Sequence, residues 1–208
     1  MSVKNRLQRR SKDRPYKKLF ILVTEGKKTE PEYFAIIRQE IKNSRKHLID
    51  IKTIQPKNSA PQYLLKSMQR VLEKENFNSK IDEAWIVADK DEWPEEHIES
   101  LNRWAQEQEY YGLAVSNPNF EYWLLLHFED GTQISSAADC STRLKKWLPD
   151  YNKGLKNSKI ILDHIKNAIK RAKNRDRDSN DDWPKAAAST TVYRLVEKLL
   201  DSNCGEVK

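Results

Sequence analysis

Residues 20–34 read FILVTEGKKTEPEYF. The apolar run that begins beside Lys18 continues to Thr24, and a short unbroken run of apolar and β-branched residues is the pattern of a strand buried on both faces. It stops at Glu25-Gly26, and the residues beyond read as a helix start. Thr29 and Glu32 have the spacing of a capping box, Pro31 falls in the tolerant first turn, and Phe34, Ile37 and Ile41 recur at helical spacing. Strand, turn and capped helix open an alternating α/β pattern.

That alternation recurs down the chain. Residues 48–54 (LIDIKTI) alternate as a strand, and Pro61 opens a helix whose apolar face is Leu64, Leu65, Met68, Val71 and Leu72. Residues 81–88 (IDEAWIVA) read as a third strand, ended by Asp89-Lys90-Asp91. A helix over about 95–108 precedes a fourth strand at 110–116, and Asn117-Pro118 reads as an N-cap with proline at the first helical position. The count predicts an α/β fold with a roughly four-stranded, mostly parallel sheet flanked by helices. From about residue 130 the pattern is helical and polar, with a loop at 174–182 and Ser189-Thr190-Thr191 as the cap of the last helix. The expected organisation is a basic arm at 1–14, a catalytic core at 15–130 and a helical C-terminal extension at 131–208 packed on the core.

Of the 208 residues only 38% are hydrophobic and 33% are charged, so a soluble protein with a thin core is expected. No stretch approaches the roughly 20 apolar residues of a membrane span, and the basic N-terminus lacks the apolar segment of a signal peptide. Cys140 and Cys204 have no metal-ligand spacing and suit a reducing, cytoplasmic setting. The net charge of +7 is unevenly placed: residues 1–18 hold eight Lys or Arg against Asp13, and the rest of the chain is balanced. Within that balance, residues 89–99 carry six acids and one base, and residues 153–177 carry nine bases and two acids. Acids beside basic surfaces are what a metal-dependent enzyme acting on a polyphosphate needs, although charge runs are also ordinary solvated faces.

In an open parallel sheet ligands bind beyond the carboxyl ends of the strands. Glu25 follows the first predicted strand, and Asp89 and Asp91 follow the third, so all three fall on that edge. Asp89 and Asp91 are two residues apart; in extended backbone both carboxylates face one way while Lys90 faces another. Such a set matches a hard divalent cation, Mg²⁺ or Mn²⁺, which would neutralise a phosphodiester and orient water. Gly26, Lys27, Lys28 and the helix start at Thr29 are the phosphate contacts this turn offers.

The segments VTEGKKTEPEYF, VADKDE, SNPNFEYWLLLHF and ASTTVYRLVEKL, in this order and at these distances, closely resemble the RloB-like proteins, to which the phage abortive-infection component AbiL is related. The resemblance runs from about Arg14 to Leu200. That family is similar to the Toprim fold shared by topoisomerases, bacterial primases and the overcoming-lysogenization-defect nucleases. It implies a metal site at Glu25, Asp89 and Asp91 and a Mg²⁺-dependent nuclease acting as an effector of antiphage defence, with DNA or RNA as substrate. It also implies a separately encoded ATPase partner, since this chain has no phosphate-binding G-x-x-x-x-G-K-[ST] loop.

Other residues carry two readings each. Glu121 is a fourth catalytic carboxylate for a second metal or a charge favouring a helix N-terminus. Glu30 joins Glu25 or is a dipole-favoured charge, and Glu92 extends the acidic cluster or solvates its loop. Lys170, Arg171 and Lys173, with Lys166 and Arg175, are nucleic-acid contacts or an exposed face, and Lys185 approaches the site by resemblance. Trp93, Trp147 and Trp183 stack bases or anchor core, and His127 is a general base or a satisfied core residue. The rivals to a nuclease are a non-catalytic nucleic-acid or partner-binding protein keeping the same fold, and phosphoryl transfer through an aspartyl nucleophile. Glu92-Trp93-Pro94 after the acids does not fit the latter.

Overall fold

In the computed structural model, residues 17–43, 48–90, 93–155, 160, 162–176 and 181–204 are described. Asp91, Glu92 and the basic arm at 1–14 therefore lie outside the described residues. The element order is β1 (Lys18–Thr24), α1 (Thr29–Asn43), β2 (Ile49–Ile54), α2 (Pro61–Lys74), β3 (Glu83–Asp89), α3 (Glu95–Gln106), β4 (Tyr111–Asn117), α4 (Phe120–Leu125), α5 (Ala137–Trp147), α6 (Leu162–Asp176), β5 (Ser189–Thr190) and α7 (Val192–Cys204). The α/β alternation predicted from the apolar runs is present.

The sheet order is β2-β1-β3-β4-β5. β1 pairs in parallel with β2 and with β3, and β3 pairs in parallel with β4. From β1 the chain passes to β2 on one side, then crosses to β3 on the other. The order therefore reverses between β1 and β3, and the crevice beyond the carboxyl ends of these two strands is the topological switch point where open α/β sheets bind ligands.

Alternation along β1 shows why its run is continuous. Phe20 and Leu22 join a core with Tyr33, Phe34 and Ile37 of α1 and with residues of α4 to α7. Ile21 and Val23 join the opposite core, with Leu64 and Met68 of α2 and Ile98, Leu101 and Trp104 of α3. A strand with apolar layers on both faces cannot alternate polar with apolar.

The fifth strand was not predicted. β5 is two residues long and antiparallel to β4, with Ser189 opposite Asn117 and Thr190 opposite Ser116. A pairing this short leaves no period to detect. It also changes two expected caps. Ser189 is in the sheet, and α7 starts after Thr191. Asn117 ends β4, and its Nδ2 donates to the carbonyl of Lys185 at 3.0 Å; Asn119, two residues later, is the N-cap of α4. Pro118 thus precedes the helix, and α4 spans Phe120–Leu125. α6 continues through Asn174 to Asp176 into the stretch expected as loop.

His127 is a core residue. It is buried, its Nδ1–H donates to the Trp123 carbonyl at 3.0 Å, and its Nε2 accepts from the Tyr33 hydroxyl at 3.1 Å. Burial holds this imidazole down at about 3, against 6.5 for an ordinary histidine. The unfolded chain therefore binds a proton here below about pH 6.5 that the folded chain refuses, so stability is complete above that pH and is lost as pH falls towards 3. His127→Gln should flatten this dependence. Urea unfolding at pH 7.5 and pH 4.5 checks it: the wild type should lose more stability on acidification than the variant, and equal losses would contradict a neutral buried imidazole.

Candidate active site at the switch point

β1 and β3 bring Glu25 and Asp89 together. The Glu25 N–H donates to the Val87 carbonyl at 3.0 Å, carrying the ladder one residue past β1. The Glu25 carboxylate then folds over the end of β3: Oε2 accepts the Asp89 backbone N–H at 3.0 Å, and Oε1 accepts the indole N–H of Trp93 at 2.9 Å. Both residues are half-buried, with Asp89 Oδ1 itself buried. The Lys90 ammonium donates to the Trp93 carbonyl at 2.9 Å. Trp93 is a neighbour of Glu25 that sequence reasoning assigned to stacking or core. Its only signal was its place just after the acids.

A second carboxylate pair lies beside the first. Glu30 is 3% exposed and Glu121 is 2% exposed. Glu30 turns back on its own helix start, where Oε1 accepts the Gly26 N–H at 2.9 Å. An added Cβ at Gly26 would stand 1.9 Å from Glu30 Oε2, so this glycine makes room for Glu30. Burial pushes the Glu30 carboxyl above its ordinary value; the backbone N–H bonds oppose this and the neighbouring Glu121 charge reinforces it. Both acids are buried, and Glu30 takes up N–H groups at the start of α1, as a dipole-favoured charge does.

Glu121 Oε1 accepts from the Tyr151 hydroxyl at 2.8 Å and from the Lys153 ammonium at 2.5 Å. The predicted capping box is not formed. Thr29 Oγ1 donates to the Lys153 carbonyl at 3.1 Å, and the Glu32 carboxylate accepts the Leu155 N–H. Segment 151–155, between α5 and α6, is thus bound against the start of α1. Cys140 is buried, and burial with the Glu121 charge pushes its thiol up to about 12, so the thiol is protonated.

The basic residues divide. Lys27 and Lys28 are exposed in the turn after β1, with the Lys28 ammonium 3.3 Å from the Asn152 carbonyl. Lys185 is exposed near the end of β4, its ammonium 4.8 Å from the Trp183 ring centre, while Trp183 itself is buried core. On α6, Lys170 is exposed. Arg171 bonds Asp130 at 2.9 Å and the Leu126 carbonyl at 2.8 Å, Lys173 pairs with Glu197, and Arg175 bonds the Gly131 carbonyl. These three tie α6 to its neighbours.

Among the described residues, no group of three or more His, Cys, Asp or Glu is placed to hold a metal ion. Of the expected metal set, Glu25 and Asp89 are adjacent and Asp91 lies outside the described residues. Their donor atoms are all carboxylate oxygens, which fits a hard divalent cation that keeps much of its water. No helix among the described residues is long and apolar enough to cross a membrane.

The family model for RloB-like proteins matches residues 20–199. No curated protein matches the chain, and no solved structure does.

Proposed function

The chain belongs to the RloB-like family, and from that premise and the carboxylates at the switch point we propose that it is a Toprim-type nuclease dependent on Mg²⁺ or Mn²⁺. The observation that carries this reading is the Glu25 carboxylate held against the backbone of Asp89 where the strand order reverses. Acids placed there repel phosphate unless a cation stands between. Glu25 and Asp89, joined by Asp91, are the residues that would hold it. The cation would neutralise charge developing on the phosphodiester and lower the pKa of attacking water. Trp93 and the Asp89 N–H fix the direction of the Glu25 carboxylate, so its geometry is set before the substrate arrives. Lys27, Lys28 and Lys185 surround this edge and would bind substrate phosphates; exposed Lys170 would extend the contact along α6. A role in antiphage defence with a separately encoded ATPase follows from the family resemblance.

Labelled DNA and labelled RNA incubated with the purified chain test this reading. Cleavage in Mg²⁺ or Mn²⁺ that EDTA abolishes is the expected result. Cleavage that survives EDTA would overturn the metal mechanism, and binding of either nucleic acid without cleavage would favour the non-catalytic binding protein.

A further inference from the structure

We propose that Trp147, stacked on Phe128 at the end of α5, is a platform for an unpaired base of single-stranded nucleic acid. This deepens the nuclease reading by naming the substrate class, and rests on that reading only for the cleavage that follows binding.

Cys140, Leu144 and Trp147 fall on one stripe of α5 by helical spacing. Cys140 and Leu144 are buried, yet Trp147 is 49% exposed, more than Tyr63 or Ile81, the other exposed large hydrophobics among the described residues. The ring is nevertheless held from two directions. Its plane lies at 11° to that of Phe128 with ring centres 5.8 Å apart, an offset stack, and its indole N–H donates to Glu129 Oε2 at 3.0 Å. Phe128 is itself packed against the core and has the His164 ring of α6 beside it at 5.4 Å. Glu129 is fixed as well, its other oxygen accepting from Arg143. An aromatic surface kept in water and already oriented loses little freedom when a planar ligand stacks on it.

The surrounding charge selects the occupant. Exposed Lys145 and Lys146 precede Trp147 in the last turn of α5, and exposed Lys170 stands on α6. Glu129 and Asp130, the acids next to Phe128, are ion-paired with Arg143 and Arg171, which leaves exposed Asp150 and Asp163 against those lysines. An aromatic face among cations matches a single strand, whose bases offer π-faces and whose phosphates attract the lysines. In a duplex those faces are already stacked on neighbouring bases. The chain beyond Trp147 also leads to the carboxylate edge. Tyr151 is four residues on, at most about 14 Å along the backbone, and its hydroxyl lies 3.2 Å from Oγ1 of Thr29 at the start of α1 and 2.8 Å from Glu121 Oε1. A strand seated on Trp147 is therefore within reach of that edge.

Fluorescence anisotropy in EDTA at low salt, where metal-dependent cleavage is off, tests this with a labelled single strand of about 12 nucleotides, a length within the range one binding module covers, and with the blunt duplex of the same sequence. The full chain should bind the single strand more tightly than the duplex. Trp147→Ala should weaken single-strand binding on the order of 10-fold, the scale of one base–aromatic stack, and change duplex binding far less. Trp147→Phe should keep most of the affinity because it keeps a ring. Thermal melting accompanies each variant, and Trp147→Leu, which retains apolar contact with Phe128 but has no π-face, decides if the alanine variant folds poorly. Equal losses on single strand and duplex would overturn the proposal, as would alanine and leucine variants that bind like the wild type. Binding of neither nucleic acid would also overturn it and assign the patch to a protein partner. Trp147-dependent binding by a chain that cleaves nothing in Mg²⁺ or Mn²⁺ would keep the platform and sink the nuclease reading, whereas metal-dependent cleavage with binding indifferent to Trp147 would do the reverse.

Discussion

Glu25→Ala is expected to lower metal-dependent cleavage on the order of 10³-fold, the scale of removing one preorganised electrostatic group from a site, and Asp89→Ala should do the same. Neither should unfold the chain. Glu25 is half-buried, so losing the hydrogen bonds it accepts from the Asp89 N–H and the Trp93 indole N–H should cost about 1 kcal/mol each. Alanine is a cleaner probe than glutamine. Both carboxylate oxygens face N–H donors, so a glutamine NH₂ would meet a donor whichever way it is turned. Trp93→Phe separates orientation from ligation, because it leaves the carboxylate and removes only one of the hydrogen bonds it accepts. An intermediate loss of about 10- to 100-fold is expected, the range for residues that orient a metal ligand. Single-turnover cleavage at saturating Mg²⁺, beside thermal melting of each variant, provides the measurement. Unaltered cleavage by Glu25→Ala would remove this carboxylate from the site.

The placement of Glu25 and Asp89 was legible because it depends on features with strong periodic signals. Two unbroken apolar runs had to be strands buried on both faces, and residues directly after parallel strands share the ligand-binding edge. What surrounds those acids was not legible, for reasons particular to each residue. Thr29 and Glu32 had the spacing of a capping box, a local pattern that tertiary hydrogen bonds to Lys153 and Leu155 overrode. Glu30 and Glu121 stood in helix first turns, where an acid is favoured by the dipole in any case, so nothing in their position announced burial.

Tyr151 and Lys153 had no signal at all. They lie in a short segment without periodicity in a part of the chain assigned to helical extension, more than 120 positions from Lys28 and Thr29. The acids of the candidate site are thus placed by strand ends that sequence patterns reveal. Its electrostatic balance comes from a distant connection that they do not.

Gly26→Ala should be the most damaging single methyl addition in the turn. The new Cβ would lie 1.9 Å from Glu30 Oε2, 2.4 Å from Oε1 and 2.5 Å from Cδ. Gly26 does not occupy the positive-φ region, so alanine can adopt its backbone and the entire cost is one of space. Glu30 cannot swing clear, because it is 3% exposed and packed beside Glu121. Either its carboxylate abandons the Gly26 N–H or the first turn of α1 moves away from β1. A destabilisation of about 1–3 kcal/mol is expected, as for other overpacked sites, which for a chain of this size lowers Tm by several degrees. Cleavage should fall with it, since Glu25 is the adjoining residue and its carboxylate must keep its direction over Asp89. The same substitution in a Glu30→Ala background gives the decisive comparison. Glu30→Ala removes the atoms that the methyl would strike, so Gly26→Ala should cost less there, with a coupling of roughly 1 kcal/mol or more between the two sites. An equal cost in both backgrounds would mean that the glycine is needed for something other than the Glu30 carboxylate.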